Sequence, residues 1–243
     1  HDTVPINSRF AVSAHWVAGE NLIKPLIKAK FKKESIFLTG NPIYDNVLKK
    51  ISNLKINSKK DKKIKVLFAP ATIAEHGFTS KNSQDKVIKE ILENITKKKS
   101  EFSLVVKIHP TSAVYSEYKK LIDQVDQNII LKQKGDIIDE LNDADVLITF
   151  PDTSLIPFAL FLKKPIIISN FYNAKKSIFL EEKLADECKE LSNITIQINE
   201  TISKGIKTKT DRFVRNYMYK SDGLSSERIS NLMISLFKKS QNK

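Results

Sequence analysis

The sequence predicts an α/β fold built on a Rossmann-like parallel sheet, and three observations carry that prediction. Short β-branched runs alternate with segments of helical period along most of the chain. Two of the runs, DVLITF (145–150) and PIIIS (165–169), are almost wholly apolar, as strands covered on both faces must be. Several runs stop abruptly at Gly40, at Pro70 or at His109-Pro110, which are natural strand-to-loop boundaries.

Taken in order, RFAVSA (9–14) reads as a strand and HWVAGENLIKPLIKAK (15–30) as a helix disturbed at Pro25, which has no amide donor. SIFLTG (35–40) is a strand and IYDNVLKKISNL (43–54) a helix. KIKVLFAP (63–70) is a strand, followed by a helix over 82–98 with Val87, Ile88, Ile91, Leu92 and Ile95 at helical spacing. FSLVVKI (102–108) and NIILK (128–132) are strands on either side of a helix at 116–125. A short helix at 136–144 leads to the DVLITF strand, a helix at 154–162 and the PIIIS strand. Over 223–239, Ile229, Leu232, Met233, Leu236 and Phe237 fall on one face of a terminal helix, with Ile229, Leu232, Met233 and Leu236 expected to pack.

Composition narrows the function. At 243 residues with 41% apolar residues the chain can bury a sizeable core. No apolar run approaches the roughly 20 residues of a membrane helix. One cysteine, Cys188, excludes an intramolecular disulfide framework and fits a cytoplasmic location. The chain starts at His1 with no visible signal peptide, and is read as processed, truncated or a fragment. The formal charge of +13 suits phosphate-bearing substrates, an anionic membrane surface or nucleic acid. No nucleic-acid motif accompanies the lysines, so nucleic acid ranks last. Four scattered histidines form no metal set, and no cofactor is expected. No G-x-G-x-x-G, no P-loop and no G-x-S-x-G elbow is present.

In a doubly wound sheet, ligands bind outside the carboxyl ends of the strands, which directs attention to the loops at 40–45, 69–79, 109–114 and 150–155. GNPIYD (40–45) is either a strand–helix turn or a corner beside a cleft. APATIAEHGF (69–78) offers Thr72 with Glu75 and His76, which could bind a hydroxyl or move a proton. His109 closes a core strand and could donate to a phosphate oxygen or sit as a satisfied turn residue. Asp152, Thr153 and Ser154 open a helix, where they serve either as simple caps or as an anion site.

Five segments, in order, resemble the C-terminal half of GT-B glycosyltransferase-like proteins, most closely the CDP-glycerol glycerophosphotransferase and capsular-polysaccharide group, with the UDP-N-acetylglucosamine 2-epimerases as a second relative. They are FLTGNPIYDNVL, VLFAPATIAEHG, VVKIHP, LNDADVLITFPDTSLIPFALFLKKPIII and SDGLSSERISNLM, spanning about 35–237. The resemblance implies that His109, Thr153 and Ser154 contact the diphosphate of a nucleotide donor. It implies a transferase moving a glycosyl or polyol-phosphate unit from a CDP- or UDP-linked donor into a surface or teichoic-acid-like polymer. A sugar-nucleotide epimerase and a non-catalytic binding module are the alternatives. Phe150-Pro151-Asp152 stands where the family often has Asp-Tyr, and the His-Arg-x-Glu-Asn pattern of the epimerases is missing from the 69–79 loop. On the same basis 1–34 is expected to be the remnant of a truncated N-terminal Rossmann-like domain, 35–222 the donor-binding domain, and 223–243 a terminal helix and tail. Phe10, Val12, Trp16 and Leu22 should then be exposed. The location implied is cytoplasmic, peripheral at the inner face of the membrane.

Overall fold

A computed structural model describes residues 14–54, 62–110, 114–151, 153–172, 177–205 and 210–241. Among these the chain begins β1 (His15–Val17), α1 (Ile23–Lys28), β2 (Ile36–Leu38), α2 (Asp45–Asn53), β3 (Ile64–Ala69) and α3 (Lys81–Thr96). It continues β4 (Phe102–Lys107), α4 (Tyr115–Asp123), β5 (Ile130–Lys132), α5 (Ile137–Asp143), β6 (Val146–Thr149), α6 (Leu155–Phe161) and β7 (Ile166–Ser169). It closes with α7 (Ile178–Glu181), β8 (Asp186–Cys188), α8 (Ile194–Lys204), α9 (Thr210–Tyr217) and α10 (Ser225–Gln241). Two compact units result: Asn53–Thr210, and His1–Ser52 with Asp211–Lys243.

The first unit is a six-stranded, all-parallel sheet in the order β5-β4-β3-β6-β7-β8. Alternation along each strand sends residues to opposite faces. Val66 and Phe68 of β3, Leu104 and Val106 of β4, and Val146 and Ile148 of β6 join one continuous core with Ile88, Ile91, Leu92 and Ile95 of α3. The fully buried Leu67, Leu147, Ile166 and Ile168 serve the other face. Thus β3, β6 and β7 read as near-continuous apolar runs because helices cover both faces. The chain leaves β3 toward β4 on one side, and β6 lies on the other, so the order reverses between β3 and β6. Thr149 pins that reversal: its Oγ1 donates to the Ala69 carbonyl at 2.8 Å.

The second unit has a two-stranded parallel sheet, in which His15, Trp16 and Val17 register with Ile36, Phe37 and Leu38. The ring of His15 meets that of Phe31 edge-on at 4.2 Å. Its main polar centre joins two distant motifs. The Asp45 carboxylate, 4% exposed, accepts from the Ser225 and Ser226 amides at 3.0 and 2.7 Å. It thereby caps the first turn of α10 from another element. Arg228 donates from Nε to the Thr39 carbonyl (2.8 Å) and from both terminal nitrogens to Asp222 (2.8 and 2.9 Å). Gly40 (φ +85°) lies so close to Ser225 that an added Cβ would stand 2.5 Å from its Oγ.

Two expectations are corrected. Residues 15–17 are a strand, because HWV completes the ladder with Ile36–Leu38; the helix starts only at Ile23, and Pro25 falls in its first turn, where a missing amide breaks no intrahelical bond. On α10, Ile229, Leu232 and Leu236 are half-buried, but Met233 is 55% exposed, so it does not pack. The contacts gather Asn53–Thr210 into one unit and His1–Ser52 with Asp211–Lys243 into the other, in keeping with the pairing of β2 with β1. The elements α7, β8, α8 and α9 were not foreseen: β8 reads Asp-Glu-Cys, with no apolar run to betray an edge strand. Phe10 and Val12 lie outside the described residues, whereas Trp16 and Leu22 are exposed as expected.

Candidate functional site

The switch point between β3 and β6 opens at the carboxyl edge of the six-stranded sheet, and every strand there is parallel. His109, Thr153 and Ser154 therefore emerge at one edge, on the loops after β4 and β6, with the loop after β3 between them. His109 is exposed, just beyond Ile108, whose amide donates to the Lys132 carbonyl at 3.0 Å and so carries the β4–β5 pairing up to the loop.

At the start of α6 the two hydroxyls have separate duties. Thr153 Oγ1 accepts from the Leu155 amide at 3.0 Å and closes the turn. Ser154 is exposed and its side chain makes no capping bond. Capping thus accounts for Thr153, and the Ser154 hydroxyl faces solvent at the sheet edge. Asp152 lies outside the described residues.

The loop after β3 is ordered by its own backbone. The His76 amide bonds to the Thr72 carbonyl, Gly77 to Ala74 and Phe78 to Ile73, at 3.0–3.3 Å. This is one helical turn closed by a Schellman motif, with Gly77 at φ +75° in the left-handed position. Gln84 of α3, buried, anchors it: its Oε1 accepts from the Ala74 amide at 2.9 Å. Its Nε2 donates to the Tyr118 hydroxyl at 3.4 Å, and burial holds that phenol far above its ordinary range, with the Asp85 and Glu75 charges adding to the effect. Within the turn Thr72 Oγ1 and His76 Nε2 are 3.4 Å apart, while Glu75 is exposed. The structure thus brings Thr72 to His76.

Two features escaped sequence reasoning. Lys107, at the end of β4, is 5% exposed, and its ammonium donates to the carbonyls of Gln133 (2.6 Å) and Lys134 (2.9 Å). Burial pulls its pKa below the ordinary lysine value. The signal was visible as a lysine ending an apolar strand, but its partners lie 26 and 27 residues onward. The second is a run of rings at the same edge: Phe68–Phe150 (5.9 Å), Phe150–Phe171 (4.9 Å), Phe171–Tyr172 (5.4 Å) and Tyr172–Phe78 (6.4 Å). It climbs from the core to the 66%-exposed Phe78. A cavity of about 500 Å³ elsewhere holds none of the candidates. It is an open trough in the other unit, lined by Glu20, Asp211, Arg215 and Lys220 among others, whose mixed charge favours no one ligand sign. The parallel-sheet edge has the stronger physical claim, because it gathers loops at a topological switch point.

Residues 12–235 match the family model of CDP-glycerol:poly(glycerophosphate) glycerophosphotransferase. A search of curated protein sequences finds no match. Among solved structures, the chain is similar to UDP-GlcNAc 2-epimerase from Neisseria meningitidis bound to UDP-GlcNAc (TM-score 0.62, 16% identity, 92% of this chain and 62% of that one). It is similar to a putative UDP-N-acetylglucosamine 2-epimerase from Listeria monocytogenes (0.61, 15%, 94% and 60%). It is also similar to a variant of the wall teichoic acid polymerase TagF soaked with CDPG (0.54, 16%, 95% and 58%). At such identities the likeness is one of fold, and the chain spans about 60% of the length of these proteins.

Proposed function

The chain belongs to the CDP-glycerol:poly(glycerophosphate) glycerophosphotransferase family, and on that premise we propose that it binds a nucleotide-diphosphate donor, CDP-linked, for transfer of a glycerol-phosphate or related glycosyl or polyol-phosphate unit to a growing surface polymer. The observation that carries this reading is the family match together with one sheet edge bearing His109 on one side of the switch point and Thr153 and Ser154 on the other. His109 donates to a diphosphate oxygen, and the Ser154 hydroxyl, unused in capping, donates to another. In the transfer of a glycerol-phosphate or polyol-phosphate unit the acceptor hydroxyl loses its proton to a base, its oxygen bonds to the distal phosphorus of the donor, the phosphoanhydride bond breaks, and the departing nucleoside monophosphate keeps the bonding electrons. Donors already aimed at that departing charge lower the barrier. Thr72, Asp152 and the Glu75–His76 pair are kept as further candidates from the sequence, and no residue is assigned as the base. A cytoplasmic location with peripheral contact to an anionic membrane surface belongs to the same proposal, supported by the +13 charge. No helix among the described residues is long and apolar enough to cross a membrane.

Calorimetry with CDP-glycerol, CDP and UDP-GlcNAc tests the reading. The chain should prefer the CDP compounds, and His109→Ala should weaken their binding by roughly 1–3 kcal/mol, the scale of a charge-assisted hydrogen bond. Preference for UDP-GlcNAc with epimerised product and no acceptor would overturn it in favour of a sugar-nucleotide epimerase. Binding of CDP compounds that His109→Ala leaves unchanged would remove His109 from the site.

A further inference from the structure

A lysine that is 5% exposed at the end of a core strand needs a reason, since burying an ammonium is costly unless its protons are used. Two of the three are used, and both go to successive carbonyls, Gln133 O at 2.6 Å and Lys134 O at 2.9 Å. The peptide unit is planar and trans, so each C=O points opposite to the N–H of the same unit. The N–H opposite the Gln133 carbonyl belongs to Lys134, and the one opposite the Lys134 carbonyl belongs to Gly135. Drawing both carbonyls in toward Lys107 therefore turns these two amides away from it. Lys134 and Gly135 are exposed, and neither amide has a partner among the described residues. Gly135 adopts φ +99°, which a side chain would resist, so glycine allows the turn. Asp136 then fixes the far end of the segment by accepting from the Ile138 amide at 2.8 Å, starting α5.

Resting on the reading of this sheet edge as the donor site, we infer that Lys107 is a positioning residue that holds the Lys134 and Gly135 amides outward as a pair of hydrogen-bond donors for the nucleotide-diphosphate ligand. The ligand chemistry is two neighbouring acceptor atoms. The loop that presents the pair follows β5, next to β4 and its His109 loop. Successive outward amides suit such acceptors and need no side chain. Acceptors of that kind occur on a diphosphate and on the edge of a cytosine ring.

The test measures binding of CDP and of inorganic pyrophosphate to the whole 243-residue chain by calorimetry, with Lys107→Met and Lys107→Arg beside the native protein. Lys107→Met keeps the apolar stem and removes the donors; Lys107→Arg restores donors for both carbonyls. The expected result is CDP binding about tenfold weaker in Lys107→Met, with recovery in Lys107→Arg and an unchanged far-ultraviolet circular dichroism spectrum. A parallel loss for pyrophosphate would assign the amides to the diphosphate, and a loss for CDP alone to the base; either supports the inference. Native-like CDP binding by Lys107→Met overturns it and leaves the donor-site reading standing, as does equal loss in both variants, which shows that orientation by donors is not what matters. Failure of the native chain to bind CDP overturns the donor-site reading and this inference with it.

Discussion

Asp45 shows how one residue can decide the geometry of a corner. Burial alone would push its carboxyl up, but the amides and hydroxyls of Ser225 and Ser226 outweigh that and hold it below the ordinary value of 3.8. Hydrogen bonds to a charged acceptor contribute about 1.5–3 kcal/mol each at most, and a cap about 1 kcal/mol. Asp45→Asn should lower the unfolding free energy by about 1–2 kcal/mol in urea titration at neutral pH. The sign of the acid response follows from the depressed folded value. The contribution is present above pH 3.8 and disappears as pH falls through the lower folded value, because the unfolded chain takes up the proton first. The Asn variant should lack that component, so its gap to the native protein should close in the most acid titrations. The residue was legible as part of GNPIYD, and so was its motif partner SDGLSSER. Their bond was not, since the partners lie 180 residues apart and no local spacing encodes such a contact.

At the scale of elements, the loop after β3 is held by backbone and by Gln84 more than by the side chains that drew attention to it. Gly77 is the point where that order depends on glycine. An added Cβ there would meet nothing within 4 Å, so the whole cost of Gly77→Ala is the left-handed backbone, about 1–2 kcal/mol. Thermal unfolding should register that loss, and amide exchange should quicken at Phe78 and Gly77, whose bonds close the motif. An undiminished midpoint would mean the loop is ordered from elsewhere. Elements with a strong period were readable: β3, β4, β6, β7 and α3 fall within a residue or two of their expected places, because apolar runs covered on both faces leave a plain trace. The strand at His15–Val17 and the strand at Asp186–Cys188 were not, for opposite reasons. HWV continues into a segment of helical period, so the pattern hid its start. DEC carries charge at a sheet edge, where nothing requires it to be apolar. Of the candidate site, a histidine and two hydroxyls can be read from the sequence because they sit at strand ends, whereas a buried lysine bonded to carbonyls 26 and 27 residues onward leaves no local trace.

Across the whole molecule the +13 charge is unevenly spread. Asn53–Thr210, which carries the candidate phosphate residues, has 26 Lys and Arg against 21 Asp and Glu, or +5; the other unit has 15 against 7, or +8, over fewer residues. The unit with the candidate site also ties up several lysines: Lys81 bonds to Asp85 and Glu117, Lys132 to Glu140, and Lys65 to Asp143. Donor recognition at the sheet edge should therefore rest on a few local hydrogen bonds more than on a broad positive field. Raising salt from about 50 to about 200 mM should then weaken CDP binding only about threefold, since close partly buried contacts are screened far less than distant surface charges. Capture of the same small anion by distant surface lysines would weaken more steeply, since exposed charges farther apart than about 10 Å are largely screened at such salt. Calorimetric titration of CDP at the two salt concentrations separates these behaviours. A shallow slope is the expected result if local hydrogen bonds, such as those proposed for His109 and Ser154, carry recognition. A steep one would mean that the lysine excess itself captures the ligand, and that the carboxyl edge of the six-stranded sheet is not where recognition is decided.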